Sequence, residues 1–342
     1  MQSSSNGSGS VLVTGGGSVW SNQYDLSMAG ELTIADSGAV FNNNVSLDAE
    51  QGALVVVTGT GSLWSILGIL SIDGAFGGLT ITNGGQVVSG SVEMHNMEDF
   101  AIVAGTGSVW NVAGELDVSG DYVDRVTIAA GGIVNVSGSA VLRNGGEIAI
   151  SSGGLYVTNG LGTISMGFDG GTLFLNGGTV TADQLLVIGD DGGSSFVFTS
   201  GFVASGGTYV TNGENFVVGD GTDGAIFALV GGFHSFANGL TISSNAVLTG
   251  CGTIDGSVVV DYGGKVRANC GGTLDFTGSV TNNGIIRVRD GTTLNFYGPV
   301  VNNGVIVARK GHLRFWSGVQ NNGKIVPRRR DPHGRARHDR GD

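Results

Sequence analysis

Apolar and polar residues alternate along this chain in short runs, and each run stops at Gly, Asn, Asp or Ser. LTITNGGQVV (Leu79–Val88) is typical: an alternating stretch, a Gly-bearing turn, then a second alternating stretch. Period two places Leu79 and Ile81 on one face of an extended strand and Thr80 and Thr82 on the other. The Asn-Gly and Gly-Gly pairs supply the positive φ that a tight corner needs. No stretch has helical periodicity, so the pattern predicts short strands joined by tight corners.

The runs recur as phrases. VTGGGSVW (Val13–Trp20), VTGTGSLW (Val57–Trp64) and VAGTGSVW (Val103–Trp110) put Trp20, Trp64 and Trp110 44 and 46 residues apart, about two rungs per unit. Between them LTIADSGAVF (Leu32–Phe41), LTITNGGQVV (Leu79–Val88) and VTIAAGGIVN (Val126–Asn135) recur every 47 residues. From Ala129 the spacing of Gly-Gly pairs suggests shorter rungs. Asn-Asn-Gly at 282–284, 302–304 and 321–323 gives steps of 20 and 19, and stacked Asn there would form an amide ladder. Asn-Gly is also a hairpin signal, but a sandwich or barrel has no reason to repeat one phrase at a fixed interval. A solenoid stacks like on like, so that each rung buries its neighbour's face. The predicted fold is all-β: a right-handed single-stranded parallel β-helix (β-solenoid). It is expected to span 11–326 in about 16 rungs of about 20 residues and roughly 75 Å, at about 4.8 Å between strands. Residues 1–10 read as a flexible N-terminal segment and 327–342, PRRRDPHGRARHDRGD, as a disordered basic tail.

Composition agrees: of 342 residues 65 are Gly and 3 Pro, with 13% charged, which excludes disorder driven by charge. The net charge of -12 conceals a switch. Residues 1–264 carry 23 acids and 2 bases, whereas 265–342 carry 5 acids and 14 bases, 6 of them in the tail. The acidic body disfavours nucleic acid and anionic membrane as partners, while the basic end has the charge to touch an anionic glycan or lipid. No run approaches the roughly 18 apolar residues of a membrane helix. The start, MQSSSNGSGS, lacks the basic and apolar regions of a signal peptide, so an export signal is expected to have been lost or to lie elsewhere. Cys251 and Cys270 stand 19 residues apart, about one rung, which leaves both a disulfide and two buried thiols open.

These phrases resemble the repeats of bacterial autotransporter passenger domains and autotransporter-associated β-strand repeat proteins across most of 11–326. The three Trp boxes, LNGGTVTADQLLVIGDDGG (Leu175–Gly193) and LTGCGTIDGSVVVDYGGKVRANCGGTLDF (Leu248–Phe276) carry the resemblance most specifically. Arg267–Cys270 departs from it, standing where relatives often have a Pro- and Ser-bearing loop. The resemblance implies a β-helix on the surface of a Gram-negative-type bacterium, or secreted from it, and implies no activity.

Catalytic constellations are sparse. Asp190 and Asp191 form a Gly-Asp-Asp, but the Gly-His-Gly and Arg-x-Lys that accompany it in β-helical glycosidases do not occur, and such Asp pairs are usually solvated turn residues. The only bases before residue 265 are Arg125, expected to pair with Asp121 or Asp124, and Arg143. Asp220 and Asp223 suit calcium in residue type but not in spacing. His95, His234, His312, His333 and His338 show no triad or metal spacing. Trp20, Trp64, Trp110 and Trp316 could stack on sugars, although the first three follow one turn and read better as packing. Arg340-Gly341-Asp342 is assigned no role. No catalytic, cofactor-binding or metal-binding residue is assigned and no cofactor is expected. The functional expectation is a non-enzymatic surface or secreted structural or adhesive protein, with a surface glycan or host or biofilm matrix as partner. The alternatives are a carbohydrate-active or glycan-binding β-helix and a Thr-row array around Thr80, Thr82 and Thr127.

Overall fold

The computed structural model describes residues 9–47, 52–74, 77–95, 98–120, 124–167, 169–189 and 193–326. The expected basic tail, most of the expected N-terminal segment, Asp121, Asp190, Asp191 and the terminal Arg-Gly-Asp lie outside them. The described residues form 40 strands and no helix, and every register is parallel. In the early turns strands pair with the strand three further on: Gly9–Thr14 with Gly30–Ala35, Val19–Ser21 with Ala39–Asn42, Leu26–Ser27 with Val45–Leu47. The chain therefore winds through three faces per turn, a β-solenoid of about 14 turns.

That is fewer than the 16 expected from 20-residue rungs, because a turn takes more chain. One turn is 22 residues from Gly78 to Phe100 and 25 from Phe100 to Arg125. The long steps continue past residue 128, with 25 from Glu147 to Thr172. Successive Gly-Gly pairs there mark different corners of one turn rather than successive turns. Shorter steps occur at both ends of the stack: 20 from Val19 to Ala39 and 19 from Leu26 to Val45 in the first turn, and 18 from Leu240 to Val258, 20 from Val280 to Val300 and 19 from Val300 to Val319 later.

The core consists of inward columns running through the stack. On the second face the column reads Trp20, Val40, Trp64, Val87, Trp110, Val134, so the two-rung repeat seen in sequence is a large residue alternating with a small one. Trp64 and Trp110 are fully buried, with their indole N–H groups donated to Asn42 Oδ1 (2.9 Å) and Ser89 Oγ (3.2 Å) on the preceding turn. A buried Trp needs such a partner. The corner glycines have a steric cause: a Cβ on Gly85 would sit 2.3 Å from the Val57 carbonyl oxygen and one on Gly132 2.2 Å from that of Val103. On the third face the last turns stack Phe276, Phe296 and Phe315, with centroids 5.4 and 5.1 Å apart. Cys251 and Cys270 form a disulfide between adjacent turns, with Cα atoms 5.8 Å apart.

On the first face the inward column changes from Val218, Ile242 and Val260 to Asn282, Asn302 and Asn321. Asn282 Nδ2 donates to Asn302 Oδ1 (2.7 Å) and Asn302 Nδ2 to Asn321 Oδ1 (2.6 Å). Asn283, Asn303 and Asn322 form a second, outer ladder at 2.9 Å. The Asn-Asn-Gly phrase is thus two amide ladders side by side.

Candidate functional site

Two features interrupt the regular stack, and neither lies where sequence motifs pointed. The first is a carboxylate column at the corner between the third and first faces. Phe100 and Arg125 open equivalent strands on neighbouring turns, which brings the residues before them, Asp99 and Asp124, into one column. Asp99 Oδ1 accepts from the Gly77 amide (2.8 Å) and Asp124 Oδ1 from the Asp99 amide (3.0 Å), so each carboxylate caps the turn below it. Both are buried, and Oδ2 of each has no hydrogen-bond partner. Burial, followed by the neighbouring charge of Asp124, pushes the Asp99 carboxyl up to about 8. Burial raises Asp124 to about 6 against the lowering effect of the Asp99 amide and of His95. At neutral pH Asp99 therefore holds a proton.

Beside this column Asp117 accepts from Arg143, and His95 Nε2 stands 3.3 Å from the same oxygen, Asp117 Oδ2. Arg125 pairs with Glu147 on the next turn (Nε to Oε2 2.8 Å) and not with the adjacent Asp124, because parallel register puts the Arg125 and Glu147 side chains directly opposite; Asp121 lies outside the described residues. Among the described residues no group of three or more His, Cys, Asp or Glu is arranged to hold a metal ion. The column's chemistry is proton storage and main-chain capping.

The second feature is a split in the wall. On the first face, strand Ser195–Ser205 pairs with Thr172–Ala182 below it, but no register joins its first half to Phe216–Val218 above. The strands from Phe216 onward on that face form a separate six-stranded sheet. The gap is bridged at its ends, by Gly219 N to Phe198 O (3.0 Å) and by Asn212 Nδ2 to Ser194 O (2.8 Å). Between the bridges lies a cavity of about 280 Å³. Its inner wall holds Phe196 and Phe216 in an edge contact (5.7 Å) with Phe198 stacked alongside (5.6 Å), and its mouth carries Val197, Val217 and Glu214. Bulky rings on both sides hold the strands apart, so the split follows from the Phe substitutions in what is otherwise an aliphatic column. It offers an aromatic slot with one carboxylate at its rim.

The other candidates resolve into structure. Asp220 Oδ1 accepts from Thr222 N (2.8 Å), Thr222 Oγ1 (2.6 Å) and Asp223 N (3.3 Å), a local turn that holds its carboxyl below the usual range. His234 is buried in the third-face column, where Nε2 donates to the Gly231 carbonyl (2.8 Å) and Nδ1 accepts from Thr208 (3.0 Å). Its burial lowers the pKa. Trp316 is exposed and stacks on Tyr297 at 5.9 Å, unlike the packed tryptophans. The Thr row is mixed: Thr33, Val56, Thr80, Ile102 and Thr127 follow one another in the outward column of the first face. Thr82 lies in the next column over, its Oγ1 3.2 Å from Thr58 Oγ1. The Asp99–Asp124 pair has a signal in the sequence: the two aspartates stand 25 residues apart, each directly before an equivalent strand. The wall split had none beyond a local excess of Phe.

No protein-family model matches the chain, and no curated protein matches it. Among solved structures, the crystal structure of a TibC-catalysed hyper-glycosylated TibA fragment aligns over 92% of this chain and 96% of its own, at 14% identity and a TM-score of 0.29. A likeness that low carries no argument about this chain. No helix among the described residues is long and apolar enough to cross a membrane. The architecture these observations establish is that of a parallel β-solenoid.

Proposed function

We propose that this chain is a non-enzymatic structural and adhesive module, displayed at a cell surface or secreted. The observation that carries the reading is the outward column of the first face. It runs Leu12, Thr33, Val56, Thr80, Ile102, Thr127 and Ala149 turn after turn, is interrupted by Phe174, and continues with Val197 and, past the wall split, Val217, Thr241, Val259, Thr281 and Val301. Short, stiff, β-branched side chains over most of the stack make a flat ribbon that loses little side-chain entropy when covered, which suits repeated shallow contact with a matrix. Each buried carboxylate gives one oxygen to the main chain of the turn below, a role in holding turns together. The disulfide supports an oxidising location, and the repeat phrases' resemblance to autotransporter passengers points the same way.

The test is to display the chain on a non-adherent bacterium and score attachment and biofilm mass against the same host without it. Attachment that rises with display level, and falls when Val56 and Ile102 are both replaced by Asp, is expected. Unchanged attachment would contradict the reading. The aromatic slot at Phe196, Phe198 and Phe216 favours a second reading, a carbohydrate-active or glycan-binding β-helix. Release of reducing ends from a polysaccharide panel, abolished by Glu214→Gln, would replace the first reading with that one.

A further inference from the structure

The charge switch seen in sequence becomes a localised feature once the registers are known. On the second face the outward position occupied by Ser65, Val88, Asn111, Asn135 and Tyr156 on earlier turns is taken by Arg267 and then, directly above it, Arg287. Two residues further along each strand, at the corner, Arg289 is followed one turn higher by Arg309: the Arg289 amide donates to Ala268 O and the Arg309 amide to Val288 O. Four guanidinium groups therefore occupy two adjacent columns on three successive turns. Neighbouring turns are about 4.8 Å apart, and positions two residues apart on a strand about 7 Å apart.

None of these four side chains makes an ion pair or side-chain hydrogen bond among the described residues. The three ion pairs there all lie between residues 95 and 147. Asp275 and Asp290 are the only acids from 265 to 326, against eight bases. Asp275 is engaged by Asn295 Nδ2 (2.7 Å) on the third face, and Asp290 follows Arg289 at the corner with its backbone at φ 54°. Like charges stacked directly opposite across a parallel ladder are destabilising. Earlier turns of this same fold fill the column with neutral residues, so the arginines are not required by the rung. Between them lies a recess of about 120 Å³ lined by Arg287, Arg289 and Arg309 with Val288 and Val307.

We infer that the Arg267–Arg287–Arg289–Arg309 stripe is a binding site for an acidic polysaccharide of the polyuronate type, with one sugar carboxylate seated in the recess. Guanidinium groups pair with carboxylates through two parallel hydrogen bonds, and a ladder of them at regular spacing matches a polymer with one carboxylate per repeating ring. Single-stranded nucleic acid would call for aromatic side chains interleaved with the cations to stack on its bases. The stripe is flanked instead by Val307 in the Arg267–Arg287 column and by Ile285 and Val305 in the column beside it. The strongly acidic turns before residue 265 repel a polyanion and restrict it to this end of the solenoid. The inference names a partner chemistry for the adhesive reading, but it does not depend on surface display.

The test is direct binding of the full chain to polygalacturonate, with neutral dextran and an oligodeoxythymidine of matched charge as comparators. Polygalacturonate is expected to bind most tightly and dextran not at all. Arg289→Gln/Arg309→Gln is expected to weaken binding at least tenfold and to lower the salt dependence of log K by about two. Its melting temperature should be no lower than the parent's, since replacing stacked like charges relieves repulsion, and this separates lost binding from lost folding. Arg328→Gln/Arg329→Gln/Arg330→Gln serves as the control for the other basic segment and should bind within twofold of the parent. Tighter binding of the oligonucleotide, or loss of binding in the control variant and not in the stripe variant, overturns the assignment. Loss of polyuronate binding in the stripe variant with surface attachment intact would uphold the site and detach it from adhesion.

Discussion

The turns before the wall split and those after it share one backbone plan and differ in almost every chemical choice. Before it, steps are mostly 22 to 25 residues, the second-face column alternates Trp with Val, polar side chains cap neighbouring turns, and the surface is acidic. After it, steps shorten to as few as 18, Phe stacks on Phe, Asn stacks on Asn, a disulfide ties two turns and, from residue 265 on, the surface becomes basic. The difference shows that the rung constrains side-chain volume and the supply of hydrogen bonds at inward positions but is indifferent to how they are provided. Outward positions are free to carry function. Because each turn touches mainly its neighbours, the two stretches should respond to perturbation separately.

Breaking the core of each stretch has the largest expected effect. Trp64→Ala and Phe296→Ala each remove a fully buried ring and should cost about 3–5 kcal/mol, the first unfolding the turns before the split and the second those after it. Limited proteolysis mapped by mass spectrometry would locate the cleavages; cuts spread over the whole chain for either variant would show one cooperative body. Next is the disulfide. Cys251→Ser/Cys270→Ser closes no loop of 19 residues and should lose about 3 kcal/mol, confined to the later turns, with the transition of the earlier turns unmoved in a denaturant titration.

Asn302→Ala is expected to cost about 1–3 kcal/mol, because it strands the Asn282 amide and the Asn321 carbonyl. Asn302→Ser, too short to bridge both neighbours, should recover little of it. The smallest effect per step is a pH slope in the earlier turns. Asp99 titrates near 8 when folded against an ordinary 3.8, so its contribution is fully present below about pH 4 and is lost as pH rises through 8. Asp124 adds the same sign up to about 6. Between pH 6.5 and 7.5 the earlier turns should lose about 1 kcal/mol per pH unit, and Asp99→Asn should flatten that slope. His234, with its lowered pKa, acts in the opposite sense below its ordinary 6.5: the neutral ring's contribution is present above that pH and is lost as the solution is acidified. Parent and Asp99→Asn with identical slopes would remove the buried proton from the account.

The fold was legible because a solenoid writes its period into the sequence: the Trp boxes and Asn-Asn-Gly phrases fall on equivalent positions, and both amide ladders appear where the phrase placed them. Turn length was misjudged because all three corners of a turn demand glycine, so the interval between Gly-Gly pairs is not the rung. The partner of Arg125 was misread for a related reason. Asp124 adjoins it in sequence, but opposite positions on parallel strands are a full turn apart, and Glu147 is the residue that arrives there. The Asp99–Asp124 column and the arginine stripe depend on the same register arithmetic, whereas the wall split depends on ring volumes meeting across a gap, which no spacing encodes.

The two-region account is tested most directly by native-state hydrogen exchange, read residue by residue on the full chain under oxidising conditions and then with reductant. It predicts that the amides of Phe196, Phe198 and Val217, which face the gap, exchange faster than their equivalents one turn away on either side. It also predicts that reductant lowers protection only beyond the split. Uniform protection across residues 172 to 242, with reductant acting equally on both sides, would contradict it.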